Sequence, residues 1–118
     1  MGKDAKELIA ESKAQQRCIP IAQAWRELQE NNGYMIDVRE ASEVQEQLVE
    51  TATSIPRGVL EMKLPQVVAD TQAPIYIHCA SGGRASLAAE QIQRMGYANV
   101  SVIDCDVQQI IEQEQGER

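Results

Sequence analysis

Hydrophobic residues follow two different spacings along the chain, and segments of the two kinds alternate. Short continuous apolar runs are typical of strands that are buried on both faces of a sheet. Longer segments with apolar residues three and four positions apart predict amphipathic helices. The predicted strands are 34–38, 75–78 and 100–103, with brief extended pieces at 18–19 and 53–56. The predicted helices are 3–16, 20–30, a short one within 39–46, one or two pieces in 58–68, 84–95, and one beginning at 107.

Proline and glycine mark several of the predicted helix boundaries. Pro20 opens the second helix, Pro65 is well placed at a helix start, and Gly96 ends the fifth helix. Helix 3–16 carries only a narrow apolar stripe, so we predict that it is an addition to the main fold. Residues 112–118 are predicted to form a solvated, fraying end.

The alternation of strands and helices predicts a parallel sheet with helices on both faces, because each connection is long enough for a crossover. A chain of 118 residues has the size of one domain. We divide it into a helical extension at 1–17 and a domain at 18–118. In such sheets functional residues gather at the carboxyl ends of the strands. The rule directs attention to Asp37 and Arg39 after one strand, and to 79–84 after another.

Composition and charge exclude several classes of function. A net charge of −7 repels phosphate groups and argues against nucleic acid or an anionic membrane as a partner. No apolar run approaches the ~20 residues of a membrane span, and residues 1–16 carry charges instead of a secretory apolar segment. Three widely spaced cysteines are typical of reduced thiols. With one histidine and no Cys-x-x-Cys pair, the chain does not predict a zinc site. We therefore expect a cytoplasmic protein.

The segment His-Cys-Ala-Ser-Gly-Gly-Arg at 78–84 carries the strongest chemical signal in the sequence. It joins a predicted strand to the amino end of a predicted helix, and its two glycines let successive N–H groups point inward. A Cys79 thiolate would be stabilised there by unpaired amides and by the helix dipole. Arg84 adds a permanent cation that can bind the oxygens of an anionic donor. The combination predicts a nucleophile that attacks an anionic electrophile.

Two motifs stand at the ends of predicted strands, Asp37-Val38-Arg39-Glu40 and Cys79-Ala80-Ser81-Gly82-Gly83-Arg84. Together they resemble the rhodanese-like sulfurtransferase family, and the resemblance extends over roughly residues 18–111. It implies a five-stranded parallel sheet between two helical layers, to which the helix at 3–16 is an extra element. It also implies that Cys79 takes sulfane sulfur from a donor such as thiosulfate and passes it from a persulfide to an acceptor.

The resemblance assigns roles to individual residues. Amides of the loop residues hold the bound sulfur, Arg84 helps to bind the donor, and Asp37 and Arg39 support the loop. The loop residues in question are Ala80, Ser81, Gly82 and Gly83. The implied partners are a small sulfur donor and a thiol or cyanide-like acceptor, with a sulfur-accepting protein as a further candidate. No cofactor and no metal are expected.

Loop length distinguishes sulfur transfer from a second reaction on a similar fold. The fold also resembles that of cell-cycle phosphatases and arsenate reductases, whose loop has five residues between cysteine and arginine. Here four residues separate Cys79 from Arg84. The shorter ring suits one added sulfur better than a phosphoryl group with three oxygens, so sulfur transfer is preferred.

Three departures from the family pattern motivate another hypothesis. The family usually shows a Gly-His-Ile-x-Gly-Ala-like stretch where this chain has 48–54, and a Gly-Gly turn with a tryptophan where it has 104–110. Ala85 stands where the family often has serine. A module that relays sulfur to a partner or only regulates, without useful turnover of small donors, is therefore the alternative function.

Several other residues have a structural and a functional interpretation. We expect His78 to pack away from Cys79, and Asp37 and Arg39 to form a structural pair. Cys105 is either a packing residue or a thiol that forms a disulfide with Cys79, and packing is preferred. Cys18 and Trp25 are expected in the core.

Overall fold

Five short strands form one sheet in which every neighbouring pair is parallel. The computed structural model describes residues 2–117, and the strands in that range are β1 Arg17–Ile19, β2 Tyr34–Asp37, β3 Thr53–Ser54, β4 Ile75–His78 and β5 Val100–Ile103. Their order across the sheet is β1-β5-β4-β2-β3. All residues of the central β4 and of its neighbour β5 are buried, which their continuous apolar runs predict. The predicted parallel α/β fold is confirmed.

Helices cover both faces of this sheet. Those in the described range are α1 Ala5–Gln15, α2 Ile21–Asn31, α3 Ala41–Glu46, α4 Leu60–Val67, α5 Gly83–Arg94 and α6 Val107–Gly116. One apolar cluster joins α4 and α5 to one face, and a second joins α2 and α6 to the other. α1 packs on the outside of α5. Within residues 2–117, no helix has the length and apolar character needed to cross a bilayer.

The position predicted for Pro65 is wrong. Pro65 lies inside α4 and not at its start. Helical structure begins earlier, because a 3₁₀ turn at Arg57–Val59 leads directly into Leu60. Proline lacks an N–H and its ring conflicts with the carbonyl four residues earlier. α4 accordingly ends soon after it, at Val67.

The prediction that 112–118 frays is wrong for 112–116, although most of residues 112–117 are exposed as expected; Arg118 lies outside the described residues. α6 continues to Gly116, and Glu114 is only 5% exposed. Its carboxylate accepts hydrogen bonds from the backbone N–H groups of Glu50 (3.2 Å) and Thr51 (2.6 Å) and from the Thr51 hydroxyl. These contacts hold the end of α6 against the bend that precedes β3.

Candidate active site

Cys79 is the first residue after the central strand β4, at the carboxyl edge of the sheet. Successive strand residues point to opposite faces. Ile77 and Cys79 therefore share the apolar cluster beneath α5, whereas Tyr76 belongs to the cluster on the other face. The Cys79 side chain is 1% exposed. The fold thus places the thiol at the base of the turn that leads into α5.

Two backbone N–H groups point at the Cys79 sulfur. Gly82 N lies 3.0 Å from Sγ and Ala85 N lies 3.4 Å from it. Both donors lie at the amino end of α5, where N–H groups have no partners within the helix. Hydrogen-bond donors and the positive end of a helix dipole favour negative charge on the sulfur. The arrangement is suited to a thiolate and to an anionic adduct formed on it.

The turn itself depends on Gly82. Its φ is +103°, a conformation that side-chain-bearing residues rarely adopt. A Cβ at this position would also lie 2.5 Å from Asp104 Oδ1. The backbone conformation therefore favours glycine, and a Cβ would also displace the Asp104 carboxylate.

Arg84 is bound to a carboxylate that the sequence did not single out. Its Nη1 and Nη2 donate to Glu43 Oε2 and Oε1 at 2.7 and 2.8 Å, and both side chains are about one-third exposed. The hydrogen bonds from Arg84, followed by one from the backbone of Glu40, hold the pKa of Glu43 at about 2. The Glu43 hydrogen bonds in turn raise the pKa of Arg84. Both groups are therefore charged at neutral pH, and the pair joins α3 to α5.

The buried pair of Asp37 and Arg39 fixes the position of α3. Arg39 donates from Nε to both Asp37 oxygens at 3.1 Å and from Nη2 to Oδ2 at 2.8 Å, and both side chains are buried. The same guanidinium binds the carbonyl oxygens of Glu43 (3.4 Å) and Gln47 (2.8 Å). The expected pair thus forms, and it positions Glu43 through the backbone of α3.

His78 is fully buried beside this pair. Its Nε2 lies 3.7 Å from Asp37 Oδ2 and has no hydrogen-bond partner among the described residues. Burial lowers the pKa of His78 below its ordinary value, and the charge of Asp37 only partly opposes this. The imidazole is therefore neutral at neutral pH. It packs on the far side of β4 from the Cys79 side chain.

The rim of the loop is formed by two segments that lie far from it in sequence. Lys13 Nζ in α1 and Asp104 Oδ1 after β5 form an ion pair of 3.0 Å. Asp104 Oδ1 and Lys13 Nζ would lie 2.5 and 3.3 Å from a Cβ at Gly82. Val107 N donates to the carbonyl of Ala80 at 2.9 Å, which joins the same rim to the start of α6. The extra helix α1 thus reaches the loop.

The other two cysteines lie in different surroundings. Cys18 packs partly buried against the cluster that contains Cys79, and Cys105 packs against the cluster on the opposite face. All three are free thiols. Burial raises the pKa of the Cys18 and Cys105 thiols. The packing preferred for Cys105 agrees with these contacts.

Comparison with known proteins assigns the chain to a family. The profile of the rhodanese-like domain matches residues 21–113. The chain belongs to the rhodanese-like domain family. The match begins after α1 and includes the Asp37 motif, Glu43 and the Cys79 loop. A search among curated proteins found no match for this rhodanese-like domain.

Solved structures share the fold. The reduced Bacillus anthracis protein CoADR-RHD is 30% identical, with a TM-score of 0.70 over 83% of this chain and 17% of that one. The rhodanese-like domain thus spans less than a fifth of that protein. The polysulfide-sulfur transferase homodimer from Wolinella succinogenes is 25% identical, with a TM-score of 0.77 over 92% of this chain and 82% of that one. These likenesses support a sulfurtransferase-type fold.

A further structure shares the fold but carries a different functional description. A Rhodopseudomonas palustris protein, described as of unknown function and as a possible tyrosine phosphatase, has a TM-score of 0.78 and 22% identity. The alignment covers 91% of this chain and 88% of that one. At this identity the likeness concerns the fold alone.

Proposed function

We propose that this rhodanese-like domain is a sulfurtransferase that carries sulfane sulfur on Cys79. The observation that supports it best is the pair of amide donors on the Cys79 sulfur, from Gly82 at 3.0 Å and Ala85 at 3.4 Å. A sulfur held by N–H groups at a helix amino end is prepared to act as an anionic nucleophile. The same donors would then hold the charge of a persulfide.

The first half-reaction forms one S–S bond and breaks another. The Cys79 thiolate attacks the sulfane sulfur of thiosulfate, and sulfite leaves with the electron pair of the broken S–S bond. The enzyme retains a Cys79 persulfide anion. In the second half-reaction, cyanide or a thiolate attacks the terminal sulfur, the persulfide bond breaks, and its electron pair restores the Cys79 thiolate. The sulfur leaves as thiocyanate or as the persulfide of the acceptor.

Intact-mass analysis after incubation with thiosulfate tests this proposal directly. We expect wild-type protein to gain one sulfur atom and to lose it on addition of cyanide. Cys79→Ser should gain none, whereas the matched variants Cys18→Ser and Cys105→Ser should behave like wild type. A wild-type protein that takes sulfur from no sulfane donor would contradict the proposal. Aryl phosphate hydrolysis that depends on Cys79 would favour the phosphatase alternative instead.

A second candidate function is a module that receives or delivers sulfur only within a complex with another protein. The binding of both terminal nitrogens of Arg84 to Glu43 favours it, because a guanidinium in a two-bonded pair has less capacity for a small anionic donor. The burial of the Cys79 sulfur also favours this second function. Rapid transfer from thiosulfate to cyanide that disappears in Cys79→Ser would contradict this second function.

A cytoplasmic location is part of the same proposal. It is supported by three free thiols, which a reducing compartment preserves. Retention of the persulfide in protein isolated from cytoplasm, and its absence from Cys79→Ser isolated in parallel, would test it.

A further inference from the structure

The ion pair at the rim of the loop has an electrostatic consequence for any anion that approaches Cys79. Asp104 Oδ1 would lie 2.5 Å from a Cβ at Gly82, the residue whose N–H contacts the sulfur. A carboxylate so near the loop repels an anionic donor. Lys13 Nζ lies 3.0 Å from this carboxylate and compensates its charge.

Lys13 is held in place by the packing of α1. Ser12 Oγ donates to the carbonyl of Ser86 in α5 at 2.8 Å, and Ser12 is buried. Ile9 fills the space beside Gly83, where a Cβ would lie 3.0 Å from Ile9 Cδ1. The ammonium group therefore stays at the rim because the helix that carries it is anchored to the first turn of α5, at Gly83 and Ser86.

No other cation of the described residues is shown to compensate Asp104. Within residues 2–117, the Asp104 carboxylate forms an ion pair with Lys13, and the charge of Arg84 is neutralised by Glu43. The net charge of −7 adds a general repulsion of anions. Lys13 is therefore the cation that offsets the Asp104 carboxylate at the rim of the loop.

We propose that Lys13 strengthens the binding of anionic sulfane donors of the thiosulfate class at the Cys79 loop, by offsetting Asp104 and attracting the donor's oxygens. This rests on the proposed sulfurtransferase function and names its substrate class. Lys13 lies in α1, outside the family match at 21–113. The side chains of Lys13 and Asp104 are each about one-third exposed, which leaves the Lys13 ammonium accessible to a donor.

The test measures anion binding without sulfur transfer. In a Cys79→Ser background, thiosulfate is titrated at a constant ionic strength of about 0.1 M, where charges more than ~10 Å apart are largely screened. Binding is followed through the backbone amide signals of Gly82 and Gly83 in ¹H–¹⁵N spectra. Introducing Lys13→Met into the Cys79→Ser protein should raise the thiosulfate Kd about threefold to fivefold. Lys6→Met, which removes the same charge about 10 Å away along α1, should leave it unchanged.

Two further variants distinguish an effect of charge on anion binding from a structural defect. Asp104→Asn should lower the thiosulfate Kd, and Lys13→Met combined with Asp104→Asn should return it toward the value of the Cys79→Ser parent. A structural defect in Lys13→Met would not be repaired by Asp104→Asn. If Lys13→Met fails to fold, Asp104→Asn still tests the proposal, since its effect must have the opposite sign.

The outcomes of this binding test can be distinguished from those of the intact-mass test of sulfur transfer. An unchanged Kd in Lys13→Met, an unchanged Kd in Asp104→Asn, or amide signals of Gly82 and Gly83 that thiosulfate does not shift would overturn the role of Lys13. Failure of wild-type Cys79 to gain sulfur would overturn sulfur transfer but not the measured dependence of anion binding on Lys13.

Discussion

Arg84 and Glu43 form a two-bonded ion pair in which each terminal guanidinium nitrogen donates to a different carboxylate oxygen, at 2.7 and 2.8 Å. The pair connects the first turn of α5 to α3, and α3 is itself bound by Arg39 through two carbonyl oxygens. Arg84 therefore braces the loop in this structure. Its role as a donor-binding residue stays a prediction.

Removal of the Arg84–Glu43 pair is expected to lower the unfolding free energy more at neutral pH than in acid. Arg84 holds the pKa of Glu43 at about 2, below its ordinary value of 4.5. A carboxylate with a lowered pKa contributes stability that is complete above pH 4.5 and is lost as the pH falls through about 2. Glu43→Gln should cost about 1 kcal/mol of unfolding free energy at pH 7, because solvent screens the exposed pair. Urea denaturation at pH 7 and pH 3 would measure the difference.

Glu46→Gln provides the control for this variant. Glu46 is exposed on the same helix, so its removal changes the net charge equally. Equal losses of stability in Glu43→Gln and Glu46→Gln would show that the pair with Arg84 contributes nothing.

Replacement of Gly82 is expected to damage both stability and sulfur transfer. Gly82 and Gly96 have nearly the same positive φ, +103° and +105°, but only Gly82 has atoms in the way of a Cβ. Gly96→Ala should therefore lower the unfolding free energy only through the unfavourable backbone conformation, by roughly 1–2 kcal/mol. Gly82→Ala should lower the unfolding free energy by up to about 1 kcal/mol more, because the Asp104 carboxylate must move away from Lys13. Urea denaturation and intact-mass analysis after thiosulfate would measure both effects, and equal behaviour of the two variants would contradict this account.

Removal of Glu114 is expected to loosen the bend before β3. Its carboxylate accepts hydrogen bonds from the backbone of Glu50 and Thr51 and from the Thr51 hydroxyl, within a segment that departs from the family pattern. Bonds to a charged group contribute more than neutral ones, so Glu114→Ala should lower the unfolding free energy by about 1.5–3 kcal/mol. Hydrogen exchange should increase at the amides of Glu50 and Thr51.

Exposed Glu112 of the same helix supplies the comparison. Glu112→Ala should change the unfolding free energy by less than about 0.5 kcal/mol. Exchange at the Thr51 amide that is identical in the two variants would contradict the proposed anchoring.

His78 is expected to make stability depend on pH between 7.5 and 5.5. Burial lowers its pKa in the folded protein below the ordinary value of 6.5. Below pH 6.5 the unfolded chain therefore binds a proton that the folded one does not, and stability falls as the pH decreases. Because one proton is involved, this loss cannot exceed about 1.4 kcal/mol of unfolding free energy per pH unit.

The chain has one histidine, which makes the comparison simple. His78→Gln should show a smaller change in unfolding free energy over the same range of pH. The same slope in wild type and His78→Gln would assign the dependence to other groups.

Much of the fold was predictable because its signals are local. Apolar runs predicted β2, β4 and β5, and the extended pieces predicted at 18–19 and 53–56 overlap β1 and β3. Gly96 ends its helix as expected, with a positive φ. The position of the Cys79 loop between a strand and a helix was predictable from the neighbouring sequence, but the donors to its sulfur are Gly82 and Ala85, and Ala85 was not among the predicted loop amides. Pro65 misled the prediction because the 3₁₀ turn before α4 had already begun the helical segment.

The sequence by itself determined the order of strands and helices, the burial of the central strands and the position of Cys79 at the end of one of them. Only the tertiary structure decided which charges meet: Arg84 with Glu43, 41 residues apart, and Lys13 with Asp104, 91 residues apart. Apolar periodicity and glycine placement act within a few residues, so they can be read from the chain. The sequence around an exposed charged residue does not indicate its partner, because the packing of distant helices and strands brings the two residues together.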